Sequence, residues 1–136
     1  MSILVSIVIR TLTLAAAVAA YFFVAQRVWS TKGDANIGAG LLAFALVIVV
    51  SFVWSARDGH RHGAGRAIGM WLAVAAVTPL VLLGLLAASE PLTREQLLAD
   101  AAVLGPTIFG LVAGPGVLGA ALGQTMGRAS GAARQA

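Results

Sequence analysis

The sequence predicts an all-α integral membrane protein: a single domain over residues 1–136, a bundle of four transmembrane helices with both termini in the cytoplasm. Three observations predict it. Of the 136 residues, 60% are apolar and only 10% charged, where a soluble domain carries about a quarter charged residues; too few polar side chains remain to coat a soluble fold. The apolar residues form four long runs separated by short polar pieces, the pattern of a multi-span helical protein. The basic residues gather in alternate polar pieces, which sets an orientation.

The spans are expected at residues 3–25, 37–56, 67–88 and 101–123. At about 1.5 Å per residue each is long enough to cross a hydrocarbon core of about 30 Å. In lipid the backbone must satisfy its own hydrogen bonds, and these unalternating runs suit helices, not barrel strands. The first run opens "MSILVSIVI", apolar where a secretory signal has a charged n-region, and is expected to be a retained span. It carries Arg10, and no acidic residue lies inside any expected span to pair with it. Arg10 is therefore read as an interfacial anchor that snorkels to the headgroups.

Residues 57–66 are expected to be a cytoplasmic loop, "RDGHRHGAGR". Arg57, Arg61 and Arg66 in it, with Arg10 and with Arg128 and Arg134 of the tail, make six basic residues on one side; Arg27, Lys32 and Arg94 make three on the other. The positive-inside rule puts the loop and the tail (127–136) in the cytoplasm. Arg10, Arg57, Arg61, Arg66 and Arg128 are the candidate topology and lipid-headgroup residues. Trp54 and Trp71 flank the loop as interfacial aromatics, with Trp29 on the opposite side. Asp58, His60 and His62 are the only candidate metal ligands. A zinc or nickel site wants three or four ligands in fixed geometry, neighbouring Arg57 and Arg61 repel a cation, and the reading is no metal and no cofactor. With no cysteine there is no disulfide, thiol nucleophile or thiolate site.

The third run contains Thr78-Pro79, a candidate kink. Ahead of the fourth, "LTREQLL" fits a capping box, Thr93 with Gln96, so that helix is expected to begin near Arg94. The fourth run is rich in glycine. Gly110 and Gly114 are four apart, as are Gly119, Gly123 and Gly127, spacings that let another helix backbone approach. Pro115 between Gly114 and Gly116 predicts a kink, with a full break and a ligand site there as the sharper alternative.

The spans hold no Asp, Glu, His or Lys, groups that proton relays need. No catalytic motif is present, and the scattered basic residues form no nucleic-acid face. The expected function is therefore interaction, not catalysis: an accessory subunit of a membrane complex, or a homo-oligomeric scaffold, in the bilayer of a bacterial plasma (inner) membrane. The alternatives are a small channel or transporter subunit with a broken fourth helix, and a phage-type holin.

Overall fold

Helix formation follows from the apolar runs, and the helix ends from a few local signals. The computed structural model describes residues 3–28, 35–89 and 93–133. They form α1 (Ile3–Val28), α2 (Ala35–His62), α3 (Ala64–Ser89) and α4 (Arg94–Ala133). All four helices are long and apolar enough to cross a membrane.

α2 and α4 make the broadest contact, followed by α3 and α4. α1 packs on α2 and α3, and among the described residues its backbone does not approach α4. The core holds Leu14 of α1, Trp71, Val74 and Ala75 of α3, and Val112 and Ala113 of α4, with Val47, Val50 and Trp54 of α2 packed against them.

The expected loop at 57–66 is not a loop. α2 runs on through Arg57–His62, and α3 begins at Ala64. The turn is one residue, Gly63, with φ of 81°, a left-handed conformation that costs glycine nothing sterically. The Gly63 N–H donates to the Gly59 carbonyl (3.0 Å), and the Gly63 carbonyl accepts from Ala67 N–H (3.2 Å). Gly63 thus closes α2 as a left-handed C-terminal cap while opening α3. The side-chain oxygen of Gln124, from α4, accepts from the Ala64 N–H (3.2 Å), one of the orphan donors of the first turn of α3.

α4 begins at Arg94, as the capping box indicates. Gln96 Oε1 accepts from Thr93 N–H (2.9 Å), and Thr93 Oγ1 accepts from Gln96 N–H (3.3 Å). Thr93→Ala is expected to cost about 1 kcal/mol, seen as faster amide exchange at Gln96 and Leu97 with the rest of α4 unchanged. The helix has 40 residues, about 60 Å at 1.5 Å each, roughly twice a hydrocarbon core. It therefore includes residues 127–133 of the expected tail. It also passes without a break through Gly114-Pro115-Gly116. α3 is likewise one helix through Pro79, where Thr78 Oγ1 donates to the Val74 carbonyl (2.7 Å).

Candidate functional site

Arg10, expected to snorkel without a partner, is instead buried and paired. One end of the bundle gathers the start of α1, the end of α2 and the start of α3. There the Arg10 guanidinium meets the Asp58 carboxylate: Nη2 lies 2.9 Å from both oxygens, and Nε donates to Oδ2 at 3.2 Å. Nη1 donates to the Ser6 carbonyl (3.0 Å) and hydroxyl (2.6 Å) one turn earlier on α1. Every nitrogen of the guanidinium is thus engaged. Trp71 Nε1 donates to Asp58 Oδ2 (3.0 Å). Arg10 also sits 5.3 Å from the centre of the Trp54 ring, within cation–π range, and Trp54 meets Trp71 edge to face. Arg10 and Asp58 are 7% and 4% exposed, and Trp71 is fully buried. Trp71 is accordingly a core residue that ties α3 to the ion pair, not an interfacial aromatic.

The pair exists because α2 remains helical past Trp54. Ser51, Ser55 and Asp58 follow at spacings of four and three, one face of a helix, and all three are buried. That polar line was the sequence signal for an inward-facing Asp58. The partner on α1 has no such signal, since the two residues lie 48 positions apart.

Beside the ion pair opens a cavity of about 420 Å³, with Arg57, Arg61, His62 and Arg66 on its walls together with Arg10 and Asp58. Arg57, Arg61 and Arg66 are exposed and make no hydrogen bond or ion pair among the described residues. The candidate metal ligands are not brought together. His60 and His62 are two residues apart on a helix, about 200° around its axis. His60 lies against Gly127 of α4, His62 lines the cavity, and Asp58 is held by Arg10 and Trp71. Among the described residues no three His, Asp or Glu form a metal-binding group.

The glycines of α4 divide into two sets. Gly119 lies under Ser55 and Phe52, Gly123 under Ala56 and Gly127 under His60, all on α2, and Gly59 of α2 lies under Ala120 of α4. Gly116 abuts Trp71. Ser55 Oγ donates to the Phe52 carbonyl (2.9 Å) and reaches the Pro115 carbonyl of α4 (3.3 Å). By contrast, a side chain at Gly110 or Gly114 would meet nothing within 4 Å. Arg128 is exposed near the end of α4. Trp29, Lys32, Asp34, Glu90 and Arg134 lie outside the described residues.

A second cavity, about 440 Å³, lies among all four helices, its walls apolar and including Leu14, Phe44, Thr78, Leu104 and Leu111. Among the described residues these features are four helices able to span a membrane and one buried ion pair. Against protein-family models, curated proteins and solved structures, the chain finds no match.

Proposed function

We propose that this chain is a four-span protein of a bacterial plasma membrane that acts by association, as a non-enzymatic accessory subunit of a membrane complex or as a scaffold of its own copies. In this reading both termini and the Gly63 turn face the cytoplasm, because the end that carries Arg57, Arg61, Arg66 and Arg128 is the more basic one.

The observation that carries it is the free face of α4. Val103, Thr107, Gly110, Gly114 and Leu118 are all exposed, and at 100° per residue they fall within about 80° of the helix circumference. Two glycines four apart in the middle of such a face admit a second helix backbone, and among the described residues nothing fills the place. A transport role rests on a broken fourth helix, and α4 has none. The inter-helical cavity is walled by apolar groups, with the Thr78 hydroxyl turned onto Val74, so it offers an ion little to replace its hydration shell.

The test is Gly110→Leu combined with Gly114→Leu. The wild-type chain, extracted in mild detergent and weighed, is expected to carry a stoichiometric partner or further copies of itself, and the double variant to lose them while keeping its helix content. A wild-type chain recovered only as a monomer, or a complex unchanged in the double variant, overturns the reading.

A further inference from the structure

We infer that the cleft at the Arg10–Asp58 end of the bundle is a binding site for an anionic phospholipid, whose phosphate sits among Arg57, Arg61 and Arg66 and whose acyl chain lies along Val49 and Val53 of α2. Four arginines and one carboxylate line the cavity, besides His62. Arg10 and Asp58 neutralise each other, so Arg57, Arg61 and Arg66 leave the cavity three positive charges. None of those three guanidiniums has a protein partner among the described residues. Converging unpaired guanidiniums repel one another, and their fork geometry suits phosphate oxygens.

An apolar groove adjoins this cavity and shares Trp54 and Arg57 with it. Val49, Val50 and Val53 form its floor, and Val49 and Val53 are more than half exposed. From Val49 to Arg61 is about 18 Å along α2 at 1.5 Å per residue. Polar recognition and apolar contact thus follow one another along a single helix face, in the order headgroup, then chain. A free phosphate would use the first part alone; the groove is what favours a lipid. The buried pair acts as a positioning element. Asp58 discharges Arg10, and Arg10 lies over the Trp54 ring, which fixes the wall between the two parts.

The inference rests on the membrane insertion proposed above, not on association, and the experiment keeps the two apart. Retention in the membrane after alkaline carbonate washing is scored first; release there would overturn insertion and this site with it. The detergent-purified protein is then titrated with phosphatidylglycerol, phosphatidylcholine or inorganic phosphate, with bound species counted by native mass spectrometry. Each arginine near an anionic headgroup is worth roughly fivefold in affinity, so three give a preference for phosphatidylglycerol over phosphatidylcholine on the order of a hundredfold. The combined Arg57→Gln, Arg61→Gln and Arg66→Gln variant should lose most of it. Arg→Lys at the same three positions should restore part, since charge returns without the fork. Val49→Gln with Val53→Gln should weaken lipid binding while leaving the anionic preference. Equal affinity for the two lipids overturns the site, as does a preference untouched by the arginine changes. Inorganic phosphate that binds alone and displaces the lipid would assign the cavity to a free anion and overturn the lipid.

Discussion

Asp58→Asn is expected to destabilise the bundle by about 3–5 kcal/mol, the cost of leaving a buried charge without its partner. The amide has nearly the shape of the carboxylate and can still accept from Trp71 Nε1. What it removes is the charge opposite Arg10, a buried residue that has no other anion among the described residues. Arg10 must then move to water, which detaches it from Ser6 and Trp54 and with them the start of α1. α1 is the most lightly packed helix among the described residues, its backbone close to α2 and α3 but not to α4, so the loss should concentrate there. The measurement is the unfolding midpoint in mixed micelles of mild detergent and SDS, with amide exchange to locate the damage. Against a total stability of about 5–15 kcal/mol, the shift would be large. Arg10→Met with Asp58→Leu should recover most of it, because two apolar residues of similar volume avoid the desolvation that the pair must offset. A cost below about 1 kcal/mol for Asp58→Asn would mean that water already screens the pair, and would remove its role in fixing α1.

The contrast between what was and was not legible in the sequence is local and physical. Hydropathy located all four helices, because long unalternating apolar runs of this length suit helices and not strands. The capping pair Thr93 and Gln96 located the start of α4. The end of α2 is not legible, because Arg57–His62 has the composition of a solvated loop, whereas polar residues do not by themselves end a helix. Gly59 costs about 1 kcal/mol in a helix, but its bare backbone admits Ala120 of α4. Only Gly63, with its positive φ, ends the helix. Once α2 extends to His62, Asp58 faces inward and the Arg10 pairing follows. That pairing joins residues far apart in sequence, and composition holds no information about it. The same extension explains why the candidate metal trio separates.

The two glycine sets illustrate a signal that was present but needed its angle as well as its spacing. Gly110 and Gly119 are nine residues apart, which at 100° per residue is about two and a half turns, so they point to opposite sides of α4. Equal spacings of four therefore serve different neighbours, and the same substitution should act with opposite sign. At Gly123 a Cβ would overlap the Ala56 carbonyl of α2, and the atoms in its way are backbone. No rotamer change relieves such a contact; the helices must separate. Separation also loosens Gly119 against Ser55 and Gly59 against Ala120, because all three lie along one α2–α4 seam. Gly123→Ala is thus expected to cost about 3 kcal/mol or more, at or beyond the usual upper end for overpacking. Gly110→Ala adds a methyl group into open space and removes backbone freedom from the unfolded chain. In monomeric, detergent-solubilised protein it should stabilise by about 0.5–1 kcal/mol. Unfolding midpoints of the two variants, measured side by side, decide the matter. Two shifts of the same sign, or a Gly123→Ala protein within about 0.5 kcal/mol of wild type, would mean that α2 and α4 do not close along this seam.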